Sequence, residues 1–155
     1  MRYAHIACCT DCTADSRPAL EHAQGLHACG NGRLSVVHVA QWPLPYAAGF
    51  GAWVPGGDDI LAGAQRRVEE EAGDIPGAEP VALSGRDPAQ AVIEWARGAG
   101  VDLLVVGVHR TAFERATLGS FAGHMVHHAH CPVLLVRPPE AATAPDTASA
   151  PAAGS

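Results

Sequence analysis

Short apolar runs alternate with stretches of helical periodicity along this chain. Tyr3 to Cys9 is an apolar run ending in Thr10-Asp11, followed by the polar cluster Thr13-Ala14-Asp15-Ser16, the pattern of a buried strand meeting a helix cap. Ala19, Leu20, Ala23 and Leu26 then recur at helical spacing until Gly30-Asn31-Gly32 stops the helix, with Pro18 tolerated near its first turn. A second strand is predicted over Leu34 to Val39. Between Ala40 and Gly57 the chain carries Pro43, Pro45 and Pro55 among Trp42, Tyr46, Phe50 and Trp53, the composition of a long loop with aromatic anchors, a lid or partner surface. Asp58-Asp59 caps a helix running to about Ala72, with Arg66 and Arg67 beside Glu69 to Glu71 on its solvated side.

Val81 to Leu83 reads as a short third strand. Ser84-Gly85-Arg86-Asp87-Pro88 turns into a helix with Asp87 at the cap and Pro88 at its first position; Ala91, Val92, Trp95, Ala96 and Ala99 form its apolar stripe, and Gly98 and Gly100 close it. Leu103-Leu104-Val105-Val106-Gly107 is unbroken in its apolarity, as a central parallel strand covered on both faces requires. Phe121, Ala122, Met125, Val126 and Ala129 make a last helical face, and Val133 to Val136 a last strand. Five strands alternating with four helices predict an α/β fold: an open, mostly parallel five-stranded sheet with helices on both faces. One domain is expected over residues 1–137, and the Pro-, Ala-, Thr- and Ser-rich residues 138–155 read as a disordered tail with nothing to bury.

Charge narrows the chemistry. The 155 residues hold 10 Arg and no Lys against 16 Asp plus Glu, a formal charge of −6, so no basic stripe tracks a nucleic-acid backbone. The missing Lys excludes lysine Schiff-base chemistry and the Walker A loop. No apolar run approaches the roughly 18 residues of a membrane span, and a cytoplasmic location is expected. The 5 Cys lack disulfide-framework spacing, so reduced thiols are the default.

In open parallel sheets, ligands sit beyond the carboxyl ends of the strands where helices diverge to opposite faces. Three loops lie there: Cys9-Thr10-Asp11; Val39-Ala40; and the segment from Gly107-Val108-His109-Arg110-Thr111 to Leu118-Gly119-Ser120. Gly119-Ser120 opening a helix offers free N–H groups to an anion, with Arg110 as a nearby cation; an N-cap role for Ser120 is the plainer alternative.

The ordered run Val105-Val106-Gly107-Val108-His109-Arg110, then Leu118-Gly119-Ser120, then His128-Ala129-His130-Cys131-Pro132-Val133-Leu134-Leu135-Val136 resembles the C-terminal signature of the universal stress protein family. Thr10-Asp11, Val37-His38-Val39 and Gly85-Arg86-Asp87-Pro88 match as well, so the resemblance covers nearly all of residues 3–137. It implies a homodimer paired through the last strand, Val133, Leu134, Leu135 and Val136, and in the nucleotide-binding branch ATP, alone or with Mg²⁺, across the strand ends. By position, Asp11 would meet the ribose or adenine side; Cys9 and Val39 would line the base pocket beside Thr10, and Val106-Gly107 would floor it. His109 and Arg110 would face the phosphates held by Gly119, Ser120 and Phe121. The branch's pattern places a Gly where Arg110 stands and one residue more before Gly119, so this chain is a shorter His-Arg form. Asp11 and His109 are the obvious loop candidates for a base, and any ATPase rate is expected to be slow or absent.

Rival readings attach to other residues. Cys9-Thr10-Asp11-Cys12 is a Cys-x-x-Cys at a strand-to-helix junction, where a helix N-terminus can lower a thiol pKa for redox chemistry; against that, Asp11 between the thiols disfavours a thiolate. His124, His127 and His128 share one side of the last helix and with His130 have metal-binding chemistry, yet no acidic residue joins them, and a solvated polar face with no metal is the reading adopted. His38 in its apolar strand reads as a satisfied core residue. A nucleotide-free interaction module acting through the last strand is the third alternative.

Overall fold

The computed structural model describes residues 2–41, 57–108 and 119–138. Along them run β1 (His5–Thr10), a 3₁₀ turn (Ala14–Ser16), α1 (Arg17–Ala28), β2 (Arg33–Gln41), α2 (Gly57–Gly73), β3 (Ala78–Gly85), α3 (Pro88–Ala99), β4 (Leu103–Gly107), α4 (Ser120–His128) and β5 (Val133–Val136). The strands form one sheet in the order β3-β2-β1-β4-β5, and every neighbouring pair is parallel. The predicted architecture is therefore present, with the chain reversing its direction of progress across the sheet between β1 and β4.

Strand alternation sorts the core into two layers. Ile6 and Cys8 of β1, with Leu34, Val36, Leu103 and Val105, pack against Ala19, Leu20 and Ala23 of α1 and Val68 and Ala72 of α2. Ala7 and Cys9, with Val37, Leu104 and Val106, pack against Val92, Ile93 and Ala96 of α3 and Ala122 and Met125 of α4. His5 shares the second face and is 4% exposed. Its Nδ1–H donates to the Ala99 carbonyl (3.1 Å), which leaves Nε2 to accept from the Ser35 hydroxyl (2.8 Å), so a polar ring is buried with both nitrogens satisfied. Asp102 accepts from the N–H groups of Ala4 (2.7 Å) and His5 (2.9 Å), tying the start of β1 to the approach of β4.

Helix ends follow local chemistry. Asp87 caps α3 by accepting from Ala89 N (3.0 Å) and Gln90 N (3.1 Å), Pro88 opens the helix, and Gly100 ends it in the left-handed conformation. Several predicted details shift. β3 begins at Ala78 rather than Val81, because an edge strand paired only to β2 tolerates the Glu79-Pro80 that interrupts its apolar pattern. The buried face of α3 is Ala89, Val92, Ile93 and Ala96, rotated from the predicted stripe, with Trp95 and Ala99 half-buried at its margin. Leu26 and Val126, expected on apolar faces, are 37% and 46% exposed. The aromatic residues Trp42, Tyr46, Phe50 and Trp53, the loop residues His109 and Arg110, and residues 139–155 of the expected tail lie outside the described residues.

Candidate functional site

A cleft of about 360 Å³ opens beyond the carboxyl ends of β1 and β4, where α1 and α2 depart to one face and α3 and α4 lie on the other. This is within the size range of small-molecule sites. Cys9, Thr10 and Asp11 reach it from β1 and the following loop, Val39 from β2, Val106 and Gly107 from β4, and Gly119, Ser120 and Phe121 from the start of α4. Nine residues singled out from the sequence thus meet at one place, though they come from four separate stretches of chain.

The start of α4 supplies the polar end. Gly119, not Ser120, is the N-cap, with φ 71° and ψ 155°, a backbone conformation that glycine alone adopts readily. Among the described residues no side chain caps the helix, in contrast to α3 with its Asp87, and the first N–H groups of α4, like those of any helix, have no partner in their own helix. The plainer reading of Ser120 as the N-cap is corrected: Gly119 takes that position and Ser120 is the first residue of the helix. Uncapped N–H groups and the positive end of the helix dipole together favour an anion.

The opposite end is built from β2 and the β1–α1 loop. His38 Nδ1–H donates to the Thr10 carbonyl (3.0 Å), but the ring is half-buried and lines the cleft, which corrects its reading as a core residue. Asp11 accepts at Oδ1 from the Thr13 amide (3.0 Å) and hydroxyl (2.7 Å), which orients its carboxylate at the rim. Ser16, Val37, Gln41, Pro88, Val92 and Ala122 also line the cleft, although the sequence pattern assigned none of them to a site. Val37 and Gln41 lie in β2 beside the Val39 that was singled out; Pro88 and Val92 arrive because α3 packs against β2 and α4, which no local pattern discloses.

The Cys-x-x-Cys does not form a dithiol centre. Alternation sends Cys9 toward α3 and α4, where burial pushes its thiol up to about 12. Cys12 turns instead toward Glu71 of α2; partial burial and the hydrogen bond and charge of that carboxylate push it up to about 12 as well. Both environments hold a thiol protonated, the reverse of what thiolate chemistry needs. On α4 the His124 and His128 rings lie with centroids 4.4 Å apart, tilted by 45°, and among the described residues no group of three His, Cys, Asp or Glu side chains converges as a metal centre does. No described helix is long and apolar enough to cross a membrane.

A parallel doubly wound sheet with a cleft at its switch point and an uncapped helix pointing into it defines a Rossmann-like α/β protein. Residues 2–137 match the model of the universal stress protein family. The chain belongs to that family. It is 32% identical over 135 residues to universal stress protein A homolog 2 of Coxiella burnetii, covering 85% of this chain and 92% of that protein. Among solved structures, universal stress protein UspA from Lactobacillus plantarum matches with TM-score 0.68 and 19% identity over 88% of this chain and 99% of that one. A universal stress protein crystallised in complex with cAMP matches with TM-score 0.58 and 25% identity, over 88% of this chain and 98% of that one.

Proposed function

We propose that the cleft binds an adenine nucleotide, ATP alone or with Mg²⁺, and that the protein is a cytoplasmic homodimeric regulatory module with slow or no hydrolysis. The observation that carries this is the uncapped start of α4 facing an apolar-floored cleft at the β1/β4 switch point. In this reading the N–H groups of Gly119, Ser120 and Phe121 hold phosphate, Val39 and Val106 pack against the base, and Asp11 takes the ribose hydroxyls. His109 and Arg110, outside the described residues, complete the phosphate end. Among the described lining residues the carboxylate is Asp11, which this reading commits to the ribose, so Mg²⁺, where it accompanies ATP, would be held through the phosphates themselves. The cAMP bound by a related protein of the same fold supports an adenine nucleotide as the ligand class.

The dimer in this proposal pairs β5 with its copy. Leu104 N–H donates to the Pro132 carbonyl (3.0 Å) and Val108 N–H to that of Val136 (2.9 Å), so residues 132, 134 and 136 turn their backbone groups to β4. Alternation leaves the backbone N–H and C=O of Val133 and Leu135 on the sheet's outer edge, a template for a second strand.

Calorimetric titration with ATP, ADP and AMP, with and without Mg²⁺, tests the nucleotide. Saturable binding is expected in the wild type. Ser120→Asp should weaken it at least about tenfold, because a carboxylate in the first turn suits the helix but repels phosphate. Flat traces for all three nucleotides would leave the interaction-module reading in its place.

A further inference from the structure

We propose that Glu71 of α2 is a positioning residue for the cleft, its carboxylate fixing the β1–α1 loop that carries Asp11 to the rim. Glu71 does not line the cleft; it borders a separate groove between α1 and α2 that also holds Arg67 and Cys12. Strand alternation points Thr10 to this side of the sheet, opposite Cys9. The Thr10 hydroxyl donates to Glu71 Oε2 at 2.6 Å, a short charge-assisted bond, and the Ser16 hydroxyl lies 3.5 Å from Oε1. A hydroxyl has one proton to give, so with Thr10's committed to Glu71, the single Ser16 proton is shared between the Thr10 oxygen and the Thr13 carbonyl, each 2.8 Å away. Both hydroxyls therefore hold their protons inward although both residues touch the cleft.

Their work is to shape the loop. Thr10 Oγ1 accepts from the Cys12 N–H (2.9 Å), and the Glu71 carboxylate borders the same groove as Cys12 and helps hold its thiol protonated. Cys12 sits at φ 59°, the one positive φ among the described non-glycine residues, a conformation that persists only where its surroundings hold it. Asp11 is thus flanked by Thr10, bonded to the carboxylate, and by Cys12, held to it through the Thr10 hydroxyl. A movement of α2 would be transmitted to the rim of the cleft through Thr10 and Cys12.

This inference rests on the nucleotide reading, and the test separates the two. AMP affinity is measured by calorimetry on wild type, Glu71→Ala and Glu71→Gln, and Cys12 alkylation by iodoacetamide at pH 8 is followed by peptide mass spectrometry. Glu71→Ala should bind AMP about tenfold more weakly, the contribution of one charge-assisted hydrogen bond, and Glu71→Gln, whose amide oxygen still accepts from Thr10, should recover most of that loss. Cys12 should alkylate about tenfold faster in both variants, since the neighbouring negative charge is gone. If Glu71→Ala does not fold, Glu71→Asp, which withdraws the carboxylate by one methylene, should show the same weakened binding. Wild-type affinity in Glu71→Ala, a Gln variant no better than Ala, or unchanged Cys12 alkylation overturns the role of Glu71 alone. A wild type silent to AMP overturns the nucleotide reading and the positioning role with it.

Discussion

Single side chains in this protein take their chemistry from the face of the sheet they point to. Cys9 and Thr10 are neighbours in sequence, yet one lies in the α3/α4 layer and the other bonds Glu71 on α2. Burial raises the folded-state pKa of Cys9 to about 12, above that of a thiol in the unfolded chain. The sign of the pH dependence follows: below the unfolded pKa of about 8.5 both states keep the proton, and above it the unfolded state releases more protons, so stability falls as pH rises toward the folded value. Urea midpoints measured from pH 8 to pH 11 should decline, with each such thiol contributing up to about 1.4 kcal/mol per pH unit. Cys9→Ala should flatten the slope while lowering stability at pH 8. An unchanged slope would place the alkaline sensitivity elsewhere. The buried His5 pair with Ser35 and Ala99 was illegible from the sequence, since its partners lie 30 and 94 residues away.

Secondary-structure elements were legible where a local signal specified them. Asp87-Pro88 and Gly100 marked both ends of α3, and the structure uses all three residues in those roles. Asp87→Ala should cost about 1 kcal/mol in urea unfolding, the usual worth of an N-cap, with the cleft's ligand affinity unaltered. The start of α4 shows the other case. Gly119-Ser120 looked like a site or a cap, and only the backbone angles of Gly119 assign the cap to the glycine and leave the N–H groups uncapped. Gly119→Ala should destabilise the protein by about 1–3 kcal/mol, because the glycine-only backbone region becomes strained. A neutral effect on the urea midpoint would mean that the first turn of α4 relaxes. Helix faces were less legible than helix ends: the stripe of α3 is set by whichever residues meet β2, β3 and α4, and several small or apolar residues in that helix could have served.

At the scale of the whole molecule, the sheet order brings the site together. β1 and β4 are adjacent although Cys9 and its register partner Val106 lie 97 positions apart in the chain, and that adjacency opens the cleft between diverging helices. The same order leaves β5 as an edge. Light scattering should report a dimer, and Leu135→Pro, which removes an outward N–H without touching the β4 ladder, should give a monomer. A monomeric wild type would remove the proposed interface and leave the nucleotide proposal standing on the cleft alone.

The amino-acid sequence by itself determined the alternation of strands and helices, the parallel sheet that such alternation requires, and the small set of loop residues that meet at the strand ends. These follow from periodicity, glycine and proline placement, and the rule that ligands sit at the carboxyl edge of such sheets. Only the tertiary structure decided which face each strand residue serves, that Glu71 holds Thr10 and through it Cys12, and that α4 starts on a glycine with no side-chain cap among the described residues. Those outcomes depend on contacts between segments far apart in the chain, whose distances and angles are fixed by packing and not by any local pattern.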